Sequence, residues 1–254
     1  MSPPPSDRLR EIYERRAELS YPSPVDLPDP RVDRKFLRMT ALVAETLPAD
    51  SLLDAGCGDG RFLAAAARLP NSPTRLVGCD ISERILQTAA ETVAREDVPA
   101  EFVRANLEQL PFADGSFDRV LSVQVIEHLL DPQAGIQELV RVLKPGGTLV
   151  LSTDNSKNYV SRALNLPRTV LVRALNLRGR HAKVSFPHRS FTREEVVSAV
   201  QSCGAEIKHV ETFTFHIDGL NAAPVKRLLN AIDSASPRHG WGDILAVVAR
   251  TPLA

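Results

Sequence analysis

Leu52-Leu53-Asp54-Ala55-Gly56-Cys57-Gly58-Asp59-Gly60-Arg61-Phe62 decides how the rest of this 254-residue chain is read. The stretch opens as a short apolar run, breaks into three glycines at alternate positions, and passes into the Ala-rich segment Phe62 to Leu69. Periodicity and glycine punctuation predict a strand, a tight turn and the start of a helix. Glycines suit such a turn because they tolerate positive φ and, lacking Cβ, let backbone amides approach a ligand closely. The helix that follows directs free amides and the positive end of its dipole at the same place, which favours a carboxylate or phosphate. The stretch is therefore expected to hold the anionic end of a cofactor.

Spacing narrows the choice of cofactor. A dinucleotide-binding G-x-G-x-x-G would place its third glycine at position 61, which is Arg61. The pattern is instead Asp54-x-Gly56-x-Gly58-x-Gly60. In this the chain resembles the class I S-adenosylmethionine-dependent methyltransferases, whose first motif is an acidic residue followed by G-x-G-x-G after the first strand. Two further runs extend the resemblance over about Ser51 to Asn155: Leu110-Pro111-Phe112-Ala113-Asp114-Gly115-Ser116-Phe117-Asp118 and Leu143-Lys144-Pro145-Gly146-Gly147. Both are close to signatures of the subgroup that includes the ubiquinone and menaquinone biosynthesis enzymes and many natural-product methylases. Neither carries chemistry; they are expected as a turn before the fourth strand and a helix stop before the fifth.

Outward from the glycine turn, strands and helices alternate, which predicts a parallel sheet with helices on both faces. Strands are expected at Arg75 to Cys79, Phe102 to Ala105, Arg119 to Val123 and Thr148 to Thr153, with helices at Glu83 to Glu96, capped by Ser82, and at Asp131 to Leu143. Beyond them, Thr192 caps a helix from Glu194 to Ser202, and a strand from Glu206 to Phe215, a helix from Pro224 to Ile232 and a last strand from Asp243 to Ala249 follow. The resemblance implies an α/β, Rossmann-like, seven-stranded and mostly parallel sheet, with one antiparallel strand in the closing pair and a helical cap inserted after the fifth strand. Residues 1–50 are expected as a Pro-rich tail and two leading helices, Arg8 to Leu19 and Val32 to Leu47, which in the resembling family close over the cofactor. Residues 51–254 then form the methyltransferase domain, with a basic cap insertion at about 155–190. Tyr13 and Tyr21 are candidates for the lid or for core packing.

The resemblance assigns S-adenosylmethionine as cofactor and Asp54, Gly56, Cys57, Gly58 and Gly60 to its binding. Asp80, with Ile81 after it, follows Gly60 by one strand-length, the place of the ribose-binding acid in nucleotide folds. Its carboxylate can accept from both ribose hydroxyls, each such bond contributing roughly 1.5–3 kcal/mol. Asn106 and Leu107 fall where the family reads adenine; Asp is commoner there, and Asn106 keeps an acceptor oxygen with less charge. Gln124 corresponds to the family residue after the fourth strand that hydrogen-bonds the methionine end. In Gln124-Val125-Ile126-Glu127-His128 the ubiquinone-pathway O-methyltransferases have E-x-x-E-H, a cluster associated with a divalent metal. Gln124 is a weaker ligand for a hard cation than a carboxylate, so no metal is expected.

Methyl transfer from a sulfonium needs position above all, and a hydroxyl acceptor also needs a base. His128, after the fourth strand, and Asp154, after the fifth, are the catalytic candidates, each with a purely structural role as the alternative. His188, His216 and Asp218 are weaker substrate-side candidates, and Trp241 is read as packing. The acceptor is expected to be handled by Asn155 to Arg193, which holds nine of the 31 basic residues and none of the 31 acidic ones in a chain of zero formal charge. Arg162-Ala-Leu-Asn-Leu166 recurs there as Arg173-Ala-Leu-Asn-Leu177, divided by Pro167, which suggests two short amphipathic helices. Three readings of this cap stay open: a site for an anionic small-molecule acceptor, a surface resting on an anionic membrane to collect a lipid-linked acceptor, and a solvated lid.

The three cysteines, Cys57, Cys79 and Cys203, form no C-x-x-C pair, so a disulfide framework and a zinc site are not expected and a reduced cytosol is. No apolar run approaches the roughly 18 residues of a spanning helix, and no signal-peptide core opens the chain. The expectation is a cytoplasmic O-methyltransferase of a small molecule, with membrane contact through the cap left open and no nucleic-acid partner. Its rivals are an RNA or protein methyltransferase and a non-enzymatic cofactor-binding protein.

Overall fold

The computed structural model describes residues 7, 10–15, 27, 33–97, 99–158, 188–213 and 242–253. After helical residues 10–15, the elements are α1 (Arg34–Ala44), β1 (Ser51–Ala55), α2 (Arg61–Ala67), β2 (Arg75–Asp80), α3 (Glu83–Ala94), β3 (Ala100–Arg104) and β4 (Phe117–Val123). A 3₁₀ turn (Ile126–His128), α4 (Pro132–Arg141), β5 (Leu143–Asp154), α5 (Arg193–Ser202), β6 (Glu206–Phe213) and β7 (Ile244–Arg250) follow. The seven strands make one sheet in the order β3-β2-β1-β4-β5-β7-β6. The first five run parallel, and β7 is antiparallel to both β5 and β6.

Register explains why the central strands read as unbroken apolar runs. Leu53 lies opposite Val77 and Val120, and Leu52 opposite Leu76. Side chains alternate across the pleat, so Leu52, Leu76, Leu121 and Val150 pack under α1, α2 and α3, while Leu53, Val77, Val120 and Leu149 pack under α4 and α5. A sheet covered on both faces has no solvated side to mark with polar residues.

Four helices begin at side-chain caps: Asp33 Oδ1 accepts from Phe36 N (2.8 Å), Ser82 Oγ from Ile85 N (3.2 Å) and Asp131 Oδ1 from Gln133 N (3.0 Å). Thr192 and Glu195 make a reciprocal capping box on α5. The seven-residue α2 instead starts at Gly60 in the left-handed region, with no side-chain cap.

One expected boundary is corrected. Lys144-Pro145-Gly146-Gly147, expected as a stop before the fifth strand, lies inside β5 as a bulge. Phe117 pairs with Leu143 and Arg119 with Thr148, leaving these residues opposite Asp118 alone. Gly147 is needed there, since a Cβ would stand 2.8 Å from Lys144 O. The preceding run, Leu110 to Asp118, is the expected turn, fastened by Arg141. The guanidinium donates to Phe112 O (2.8 Å), Leu110 O (3.2 Å), Asp114 Oδ1 (2.6 Å) and both oxygens of Glu138.

Met1 to Ser6, Tyr21, the cap residues 159–187 with the repeated segments, His216, Asp218, the helix expected over Pro224 to Ile232, and Trp241 lie outside the described residues. Among the described residues, no helix is long and apolar enough to cross a membrane.

Candidate functional site

The carboxyl ends of β1, β2, β4 and β5 meet at one cavity of about 430 Å³, within the usual range for small-molecule sites. Of the residues singled out from sequence, Tyr13, Gly56, Cys57, Gly58, Asp80, Ile81, Asn106, Leu107, Gln124, His128, Asp154 and His188 line it. Asp54 and Gly60 do not; both are buried behind the turn they belong to.

The glycine turn is pinned from below. Gly56 N and Cys57 N both donate to Cys79 O (2.8 and 2.9 Å), and Gly60 N closes onto Cys57 O (3.0 Å). Gly56 has φ +79°, and a Cβ there would come within 2.4 Å of Val125 Cγ2. At Gly60, φ +78°, a Cβ would lie 2.9 Å from Ala89 O. The chain can make this turn only with glycine at both places.

Asp80 is tied into the same turn: its Oδ2 accepts from Gly58 N (3.2 Å) and its Oδ1 from Ser82 N (3.1 Å). Each oxygen keeps a second lone pair for a ligand hydroxyl. Burial raises the Asp80 carboxyl to about 6 against those two backbone bonds, which favour its charge. Asp54 is only 1% exposed, its Oδ2 has no hydrogen-bond partner, and burial, followed by the nearby Asp80 and Asp59, raises it to about 8. Asn106 Oδ1 already accepts from Glu108 N (3.0 Å), so one lone pair of that oxygen is left for a ligand. Gln124 sits in the left-handed region at φ +58°, with Nε2 buried and without a partner; strained backbone of this kind clusters at functional sites.

The other wall is built from three segments. Asp154 ends β5, His128 ends the 3₁₀ turn, and His188 leads into α5. His188 Nε2 is 3.0 Å from Asp154 Oδ2, and the His128 and His188 rings stand edge to face with centroids 5.4 Å apart. Tyr13, from the helical residues 10–15, meets the His128 ring edge-on at 6.2 Å. Beside it, Glu14 takes hydrogen bonds from Ser82 Oγ (2.9 Å) and Glu83 N (2.8 Å), fixing that segment to the start of α3.

Sequence reasoning missed several lining residues. Glu127 is 2% exposed, takes a hydrogen bond from Thr153 Oγ1 (2.9 Å), and is raised to about 8, chiefly by burial. Its place beside His128 in the quoted stretch was the available signal. Asp33, the cap of α1, and Lys35 within it also reach the cavity, and Arg61 stays bound to Asp59; the helix was expected over the cofactor, but its sequence did not show which of its side chains would face the cavity. Among the described residues, no three His, Cys, Asp or Glu side chains stand together as a metal site.

Residues 53–151 match the sequence pattern of a family described as a methyltransferase domain. The demethylmenaquinone methyltransferase of Clavibacter sepedonicus is 35% identical over 119 residues, 47% of each chain. The ubiquinone biosynthesis O-methyltransferase of Parvibaculum lavamentivorans is 27% identical over 164 residues, 65% of this chain and 62% of that one. This chain thus spans about half to three-fifths of the length of these two relatives. Among solved structures, that of the [4+2]-cyclase SpnF superposes with a TM-score of 0.67 at 20% identity, covering 100% of this chain and 99% of that one. At that identity the likeness is one of fold. The residues present fit a sulfonium nucleoside: a turn whose bare backbone is required, a buried carboxylate with open lone pairs, and a buried amide without a partner. Residues 53–151 are thus a methyltransferase domain, of the class I kind that uses S-adenosylmethionine.

Proposed function

We propose that the protein transfers a methyl group from S-adenosylmethionine to a hydroxyl of a small molecule: a metabolite, glycoside or lipid-linked intermediate. The observation that supports this reading best is that a single cavity is lined both by the glycine turn with Asp80 and by the His128, Asp154 and His188 wall. In this reading Asp80, flanked by Ile81, takes the ribose, Asn106 and Leu107 take the adenine, and Gly56, Cys57, Gly58 and Gln124 take the methionine end. Asp54 and Gly60 shape the turn from behind. The cofactor supplies an activated methyl group. The protein supplies alignment of the acceptor oxygen with it, and a group to receive the hydroxyl proton. His128 and Asp154 are the acceptor-side residues, and residues 10–15 with α1 cover the cavity.

The basic run between Asn155 and Arg193 favours an anionic acceptor, free or lipid-linked. Flotation with anionic vesicles at low and moderate salt tests the lipid version, and absence of binding in both buffers removes it. Calorimetry with S-adenosylmethionine and S-adenosylhomocysteine tests the cofactor site. Mass spectrometry of metabolite extracts from cells with and without the gene then seeks the acceptor as a difference of about 14 daltons, one CH₂. Cofactor binding without turnover of any small molecule or RNA would instead favour a non-enzymatic binding protein.

A further inference from the structure

Sequence alone puts His128 first and Asp154 second as candidate bases, but in the structure Asp154 touches a different histidine, His188. We propose that His188 is the base that takes the acceptor's hydroxyl proton, and that Asp154 is the positioning residue that fixes its ring. This assignment deepens the methyl-transfer reading above and depends on it.

Geometry carries the argument. A carboxylate only accepts, so the 3.0 Å contact between His188 Nε2 and Asp154 Oδ2 places the proton of the neutral ring on Nε2 and leaves Nδ1 as the acceptor. The segment that carries the ring is fastened at several points. Arg189 N donates to Glu127 O (3.0 Å), Phe191 N to Asp154 O (2.9 Å), and Ser156 N to Phe191 O (2.8 Å). Phe191 is buried, and the Arg189 guanidinium lies over its ring at 4.8 Å. A side chain on such a support holds a fixed place in the cavity wall, while its half exposure leaves it open to a ligand. The other titratable groups on this side of the cavity are Glu127 and His128 from the turn after β4, Lys35 from α1 and Tyr13 from the helical residues 10–15. His128 meets His188 ring to ring, and so supplies it with a wall.

In the step itself the acceptor's O–H bond breaks and its proton goes to Nδ1. The electron pair left on oxygen forms the new C–O bond as the C–S bond breaks, and the pair from that broken bond goes to sulfur, which becomes a neutral thioether. The imidazolium formed stands against Asp154, which stabilises its charge. No oxidant or further reactant is needed.

The test uses the full chain saturated with S-adenosylhomocysteine, with ¹⁵N in its histidine rings, and long-range ¹H–¹⁵N spectra in which H188Q identifies the His188 signals. Neutral His188 is expected as the Nε2–H form, and D154A is expected to let the Nδ1–H form appear beside it. A neutral ring protonated on Nδ1 overturns the proposal even if D154A does not fold, and so does a tautomer balance indifferent to D154A. On an acceptor found by the metabolite comparison, H188Q should lower kcat about a hundredfold or more, with unchanged affinity for S-adenosylhomocysteine and loss of the acid limb of kcat/KM. Full activity of H188Q would also overturn it. Failure of the wild-type chain to bind S-adenosylhomocysteine would strike the function reading itself, whereas binding with the wrong ring form strikes only the dyad.

Discussion

In the function proposed above, Gln124 is the residue at which backbone cost and ligand binding are most directly opposed. Its φ of +58° is a region that L side chains with a Cβ occupy at a cost of roughly 1–2 kcal/mol. Its amide nitrogen is buried and has no partner. If the side chain were there for the turn alone, glycine would serve better. Q124G should therefore unfold within about 1 kcal/mol of the parent, since relief of strain is offset by glycine's greater chain entropy, while affinity for S-adenosylhomocysteine falls about tenfold for one lost hydrogen bond to a charged group. Thermal unfolding and calorimetry read the two effects separately, and unchanged affinity would assign Gln124 to the turn alone. Glutamine at this position was visible in the sequence; its left-handed backbone was not. That conformation follows from where β5 lies, because Gln124 N must reach Ser152 O (3.0 Å).

At the scale of elements, the glycine turn and the caps make the sharpest predictions. G60A forces a Cβ against Ala89 O in α3 at a positive φ, and should cost about 2 kcal/mol or more in chemical denaturation. T192A removes half of the α5 capping box and should cost about 1 kcal/mol. Because α5 packs through Val196 and Val200 on the face away from the glycine turn, T192A should leave cofactor affinity unchanged. These elements were legible because their signals are local: three alternate glycines, Ser82 before an apolar period, Thr192 three residues before Glu195. What was not legible depends on pairing across the sheet. The Lys144 to Gly147 run has the composition of a stop, and only its place opposite Asp118 makes it a bulge. Asp154 was found from its position after a strand, but its contact with His188 spans an insertion whose fold the sequence does not specify. Glu14 carries no pattern at all, since its partners lie on α3 and its cap.

Across the whole molecule, the buried carboxyls tie stability to pH. Asp54 and Glu127 are both raised to about 8, from ordinary values of 3.8 and 4.5, mainly by burial. The folded chain therefore holds protons there that the unfolded chain has released. Their contribution to stability is complete below about pH 4 and is lost as pH rises toward 8, with a slope of at most about 1.4 kcal/mol per pH unit for each group. The ligand-free protein should thus melt at a lower temperature at pH 8 than at pH 6, and D54N or E127Q should flatten that difference. A melting temperature that rises over this interval, with the parent and both variants alike, would mean that these carboxyls are ionised in the folded chain.

The strand order has a consequence for how the chain assembles as it is made. β7 follows β6 in sequence yet lies between β5 and β6, and its residues from Ile244 to Arg250 pair with β5 along one side and with β6 along the other. During synthesis the glycine-turn half, β1 to β5, can settle as soon as it leaves the ribosome, whereas β6 has no resting place until the later strand emerges. The nascent polypeptide should accordingly hold the strands around the glycine turn before the sheet is completed beyond β5.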